Sequence, residues 1–357
     1  MRCTTCVLPD QTPNIAFDEE GVCNYCHTYQ KFGYKGEAEL IRTLDSFRNT
    51  GHKYDVAVGV SGGRDSTYLL LKLVKDYGMR VLAINYENPF TVPQARANIE
   101  NAIKTLNVDI VRFGDKNDRH KRVFKKTATA WFKNPSPALI PIVCIGCKPA
   151  WFEIYRIAKQ HGVRCIASGG NPFEAISFKK ELVGISRDET PERAFFKYVY
   201  SLREMLENSA YFSPICLQTL MKSYLFGNPY SIGLRLYERN MTWVEMFSYI
   251  EWDEREIVPR IKTELNWDSP PHLESNWRFD CRVKHLVDFM YVKTLKMTDK
   301  DDFYAKMVRE GLMTRDEALQ RLQSENKLYM DEIELLLDQA GFEDSFFFSQ
   351  ITDGFNA

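Results

Sequence analysis

Asp55-Val56-Ala57-Val58-Gly59-Val60-Ser61-Gly62-Gly63-Arg64-Asp65-Ser66 is the stretch that decides the fold. A β-branched run empties into a Gly-Gly turn, and the spacing predicts a helix from Ser66. Val56, Val58 and Val60 suit a buried parallel strand. Gly62 and Gly63 let the backbone turn tightly and bring its N–H groups near an anion. The helix that follows aims its positive end at the same place. Its residues Leu69, Leu70, Leu73, Val74 and Tyr77 keep helical spacing, so one face can pack on a sheet. An ordinary strand–turn–helix crossover shares this outline. The full string, however, matches neither the Gly-rich dinucleotide fingerprint nor the P-loop.

Outward from this loop the chain alternates. Strands are predicted at 55–60, 81–86, 108–113 and 164–168, and helices at 66–77, 92–106, 118–132 and 148–161. A short helix at 37–50 precedes them. The alternation predicts an α/β fold, a doubly wound parallel sheet with helices on both faces. Ligands then gather beyond the strand C-termini. This brings Ser61–Ser66, Asn85-Tyr86-Glu87 and Ser168-Gly169-Gly170-Asn171 around one pocket. Three regions are expected: a cysteine-bearing module at 1–30, a nucleotide domain at 50–190 and a helical region at 191–357 without clear strands. In the last, Thr314-Arg315-Asp316-Glu317 reads as a capping box preceded by Gly311 as a helix terminator.

The 357 residues suffice for a large core. Lys and Arg number 47 against 48 Asp and Glu, a net charge of −1, which counts against a nucleic-acid partner. No apolar run is expected to span a membrane, no signal-peptide pattern opens the chain, and a cytoplasmic location follows.

Most of the nine cysteines fall in Cys-x-x-Cys pairs. Cys3-x-x-Cys6 and Cys23-x-x-Cys26 supply four thiolates, enough for a closed tetrahedral zinc site. Disulfides are the alternative, opposed by the paired spacing. His27 is the poorer ligand because it adjoins Cys26. Cys144-Ile145-Gly146-Cys147 sits in a proline-bracketed loop and opens a helix, which favours thiolate. A redox dithiol, part of a metal site, and a structural pair all remain open for it. Cys165 and Cys216 read as core. Cys281 lies in Trp277-Arg278-Phe279-Asp280-Cys281-Arg282, which no core periodicity explains. With Cys144 and Cys147 it supplies three thiolates, a set that suits an iron–sulfur cluster.

Ser61-Gly62-Gly63-Arg64-Asp65-Ser66 resembles the PP-loop of ATP pyrophosphatase-type adenylating enzymes, whose fold is of the adenine nucleotide alpha hydrolase type. Together with the cysteine pairs, the strings 277–282 and Val308-Arg309-Glu310-Gly311-Leu312-Met313-Thr314-Arg315-Asp316-Glu317-Ala318 are similar to the N-acetyl sugar amidotransferases of surface-polysaccharide and nonulosonic-acid biosynthesis. That resemblance implies conversion of a sugar acetamido group to an acetamidino group. ATP adenylates the amide oxygen, and ammonia from a glutaminase subunit displaces AMP. It assigns Ser61, Gly62, Gly63, Arg64, Asp65, Ser66, Asn85, Gly169 and Gly170 to ATP, with Asp65 and Ser66 as catalytic residues. Asp65 is expected to orient the loop or help hold magnesium. A sugar nucleotide is the expected substrate, and the cofactors are ATP, Mg and Zn with a 4Fe-4S cluster on the second cysteine set. A tRNA or small-molecule thiolase using the same adenylation is the first alternative; a non-catalytic, zinc-stabilised nucleotide-binding regulator is another. The segment 174–275 carries no motif.

The densest basic stretch, Arg112, Lys116, Arg119, Lys121, Arg122, Lys125 and Lys126, reads as a solvated helix face. Its sharper reading is a docking surface for phosphates or a partner. Phe342, Phe346, Phe347 and Phe348 are expected to pack on the body.

Overall fold

The structure, a computed structural model, describes residues 1–49, 51–179, 181–183, 205–206 and 208–342. Its centre is a parallel sheet of β1 (Val56–Gly59), β2 (Val81–Glu87), β3 (Asp109–Gly114), β4 (Cys165–Ser168) and β5 (Thr242–Glu245) in the order β3-β2-β1-β4-β5. Val56 lies opposite Val81, and Ala57 opposite Ile166. The period of two along each strand feeds two separate cores. Val56, Val58, Ala83 and Ala167 enter one; Ala57, Leu82, Ile84 and Ile166 enter the other. Helices therefore cover both faces, and the fold is doubly wound.

The helices are α1 (Glu37–Asp45), α2 (Arg64–Leu71), α3 (Pro93–Leu106), α4 (Arg119–Lys133) and α5 (Ala150–Gln160). They continue as α6 (Pro214–Phe226), α7 (Ile232–Tyr237), α8 (Glu254–Leu265), α9 (Val283–Leu295), α10 (Asp299–Glu310), α11 (Arg315–Glu325) and α12 (Met330–Gln339). Apolar residues of α2 and α3, such as Leu69 and Ile99, lie in the first core. Ile154, Tyr155 and Ile157 of α5 fill the second.

Three local expectations shift. Helix α2 starts at Arg64, two residues early, because Gly63 O already accepts from Thr67 N at 3.2 Å. Helix α1 stops at Asp45 rather than running to 50. Beyond residue 190 the chain returns a strand, β5, beside β4. Only Val244 of its four residues is buried, so no alternation announced it.

The pieces between Pro137 and Gln160 together reach the length and apolarity of a membrane span, contrary to the sequence expectation. They break into short turns around Cys144–Cys147. Leu139, Val143, Ile157 and Ala158 are buried in the body, as in a core helix.

The N-terminal module is seated on the C-terminal helices. Arg2 Nη1 pairs with Asp301 at 2.7 Å, and Arg315 Nε donates to the carbonyls of Cys3 and Cys6 at 3.1 and 3.0 Å. Helix α11 opens with the Thr314–Glu317 capping box, and Gly311 ends α10 in the left-handed region. Phe342 packs 6.4 Å from Phe124; Phe346, Phe347 and Phe348 lie outside the described residues.

Candidate nucleotide and metal sites

The order of the strands reverses between β1 and β4, and the loops after these two strands meet there. Gly62 holds φ at +80°, and a Cβ on it would lie 2.0 Å from Ala95 O, so only glycine fits. Gly169 is as tightly placed: a Cβ there would come within 2.6 Å of Asp65 O. Gly170 N donates to Ser168 Oγ at 3.1 Å. Asn85 Nδ2 donates to Val60 O at 2.8 Å, which ties the ends of β1 and β2.

Within the loop, Gly63 N donates to Ser61 Oγ at 3.3 Å, and the Ser61 and Ser66 hydroxyls stand 3.2 Å apart. Ser66 Oγ also donates to Gly63 O at 3.2 Å. Two hydroxyls and the first amides of α2 thus share one mouth, a cradle for an anion.

The side chains of Arg64 and Asp65 are held by the protein. Asp65 Oδ1 accepts from Trp252 Nε1 and Arg64 Nε, both at 3.0 Å. This is the geometry of a residue that orients the loop. The Arg64 guanidinium binds Glu254 at 2.9 Å and Asn276 at 2.7 Å, over the Trp252 ring. Its backbone N–H still belongs to the first turn of α2. Burial pushes Glu254 up, but Arg64 and Arg321 outweigh it and bring its pKa down to about 2.

The motif-free segment proves to grip the loop. Besides Trp252 and Glu254, Trp267 Nε1 donates to Gly62 O at 3.0 Å, joined there by Asn98 Nδ2 at 3.1 Å. The string 277–282 then crosses beside it. Val92 N donates to Asp280 O at 3.2 Å, and Arg282 N to Phe90 O at 3.0 Å. Asp280 Cγ stands 3.4 Å from a Cβ placed on Gly63, and its carboxylate is a hydrogen-bond partner of Ser61. Burial raises the Asp280 pKa against the pull of Ser61 and Arg278. Glu174, which accepts from Trp277 Nε1 at 2.8 Å, is likewise pushed up by burial. Asp280, Arg278 and Glu174 were not singled out as individual residues by sequence; the unexplained polar-aromatic string was the available signal for the first two. A hard carboxylate facing the cradle fits magnesium.

Cys3, Cys6, Cys23 and Cys26 converge, with all four Sγ atoms within 4.8 Å of one another. The Cys3–Cys26 and Cys6–Cys23 separations are both 3.8 Å, and Cys23–Cys26 is 3.6 Å. Four thiolates at ~2.3 Å from a tetrahedral zinc stand about 3.8 Å apart, so the donor set fits that ion. His27 is turned to Asp18 at 2.7 Å.

Cys144, Cys147 and Cys281 are brought to one neighbourhood without forming a group as tight as the first. Cys281 follows Asp280 and accepts from Asn88 Nδ2 at 3.3 Å. Burial pushes its pKa up to about 12, with Asp280 and Cys144 adding to the rise. Cys144 is pushed up to about 12 by burial and by Cys147. Among the described residues only the N-terminal four meet the single-ion spacing. A cluster, several ångströms across, draws its thiolates from farther apart than one ion does. Cys165 and Cys216 are both fully buried, the former within the first apolar core.

No protein-family model matches the chain. An uncharacterized protein of Methanocaldococcus jannaschii is 27% identical over 216 residues, 58% of this chain and 73% of that protein. Among solved structures, NMN synthetase from Francisella tularensis is similar at 12% identity and a TM-score of 0.29, over 57% of this chain and 94% of the other. U34-tRNA thiolase from Methanococcus maripaludis, solved with its 4Fe-4S cluster, is similar at 12% identity and a TM-score of 0.34, over 87% and 86%.

Proposed function

We propose that the chain is an ATP-dependent enzyme of the PP-loop type that activates the acetamido group of an N-acetyl sugar and lets ammonia convert it to an acetamidino group. The observation that carries this reading is the Ser61–Ser66 cradle at the C-terminal end of the central strand, with Asp280 of the 277–282 string against it. An amide oxygen is a poor leaving group until it is esterified to AMP. In this reading the amides of Gly62 to Ser66 and the Ser61 and Ser66 hydroxyls hold the pyrophosphate as it departs. Asp65 keeps the loop in register through Trp252. Asp280 contributes an oxygen to magnesium, which supplies charge neutralisation at the phosphates. Cys3, Cys6, Cys23 and Cys26 would hold a structural zinc, and Cys144, Cys147 and Cys281 would be the ligands of an iron–sulfur cluster. A glutaminase subunit supplies ammonia.

The test is to incubate the protein with Mg-ATP, ammonium and nucleotide-linked N-acetyl sugars. AMP and pyrophosphate are expected, with a product about one mass unit lighter than the sugar nucleotide, since O becomes NH. The three converging cysteines favour a second reading, transfer of sulfur after the same activation. A sulfur donor then yields a product about sixteen mass units heavier, since O becomes S. ATP bound without AMP release under either condition defeats both and leaves a regulator.

A further inference from the structure

Beyond the ends of β2 and β3 lies an open cavity of about 1060 Å³, bordered by residues of α4, α5 and α6. It is separate from the Ser61–Ser66 cradle, none of whose residues lines it. Five cations face it: Lys116, Arg119, Arg122, Arg156 and Lys222, against the carboxylates of Asp115 and Glu153. Both carboxylates have partners inside the protein. Asp115 accepts from the backbone N of His120, and Glu153 pairs with Arg156 at 2.7 Å. Arg119 donates to Thr219 Oγ1 at 3.1 Å. Among the described residues, Lys116, Arg122 and Lys222 show no ion pair. Lys116, Arg122 and Lys222 are exposed, and together they give the cavity a positive potential that attracts anions.

Two pairs of rings also line the cavity. Tyr86 and Phe113 have centroids 5.3 Å apart, and Phe152 and Phe226 5.0 Å. Cations and aromatic rings lining one cavity match a phosphate chain attached to a base or sugar ring. One end of the cavity adjoins the Cys144–Cys147 turn. Gly146 lines the cavity and is closed on by His120, whose Cδ2 would meet a Cβ there at 2.1 Å. Tyr86 Oη lies 3.0 Å from His120 Nδ1, and burial is the main force raising the tyrosine's pKa, with Asp115, Cys147 and Cys281 adding to it. From Cys281 the chain passes at once to Asp280 and so to Ser61.

We propose that this cavity binds the nucleoside diphosphate portion of the substrate, with Arg122, Lys222 and Lys116 on the phosphates and the rings against the base. The attached sugar extends past Tyr86 toward the cradle. This rests on the sugar-nucleotide reading of the function.

The test measures calorimetric binding of UDP and GDP to the full chain, with the cradle saturated by Mg and a non-hydrolysable ATP analogue. Arg122→Gln with Lys222→Gln removes two charged contacts outside the cradle. A fall in nucleoside diphosphate affinity on the order of tenfold or more is expected, with the ATP analogue bound as before. No binding of either diphosphate to the wild type, or equal binding to wild type and variant, overturns the proposal. Tighter binding of a tRNA than of either diphosphate, lost in the same variant, replaces it with a nucleic-acid site. Diphosphate binding lost in the variant, but with no turnover of any N-acetyl sugar, keeps the cavity and removes only the acetamidino chemistry.

Discussion

Two adjacent glycines in the Ser61–Ser66 loop answer to different constraints. Gly62 sits at φ +80° against the backbone of Ala95, so Gly62→Ala combines left-handed strain with a clash no rotamer relieves. A loss on the order of 3 kcal/mol or more is expected in urea denaturation. Gly63 holds φ −71°, which any residue adopts, and a Cβ there meets nothing closer than 3.3 Å. Gly63→Ala is therefore expected to keep stability within about 1 kcal/mol while ATP turnover falls at least about tenfold, because the methyl intrudes where phosphate must approach the amides. Normal turnover in that variant removes the loop from the mechanism. The sequence could flag both glycines, but not which one is structural: that depends on Ala95, thirty-odd positions away. The partner of the Arg64 side chain was hidden for the same reason. Its acidic partner Glu254 comes from a segment without any motif, and only the fold brings the two together.

Among the elements, helix α8 acts as a brace, since Glu254 at its start joins Arg64 on α2 to Arg321 on α11. Glu254→Gln leaves Arg64 with Asp65 alone and Arg321 with Glu325 alone, and is expected to cost about 3 kcal/mol. The pH dependence has a definite sign. The folded pKa of Glu254, about 2, lies below the ordinary 4.5, so its contribution is complete above 4.5 and is lost as pH falls toward 2. Wild-type stability should decline across that window more steeply than that of the Gln variant; parallel profiles would show that the carboxylate is not charged in the fold. At the other end of the chain, the four-cysteine knuckle should give about one zinc per chain by metal analysis. Cys6→Ser, or a strong chelator, is expected to loosen the anchorage of Arg315 on Cys3 and Cys6 and to lower the melting temperature. Unchanged metal content in Cys6→Ser would count against the assignment. The alternating strands, the helices between them and these paired cysteines were legible because each has a period or a spacing. β5 was not, since four residues with one buried side chain leave no pattern to read.

The molecule as a whole does not part at residue 190. Its fifth strand, and Trp252, Trp267 and Asp280 that enclose the phosphate loop, all come from beyond that point. A chain ended there is expected to lose the cooperative urea transition, and a folded, ATP-binding fragment would contradict this. The enclosure also has a thermodynamic consequence. Gly62 O is held by Trp267 and Asn98, and Asp65 by Trp252, all through side chains of the protein itself. Ordering a floppy loop around a ligand buries apolar surface and shows as a large negative heat-capacity change, as well as an affinity reduced by the rarity of the competent state. A loop held beforehand escapes both. Nucleotide association here should resemble a key entering a finished lock, with an enthalpy that hardly changes between cold and warm titrations.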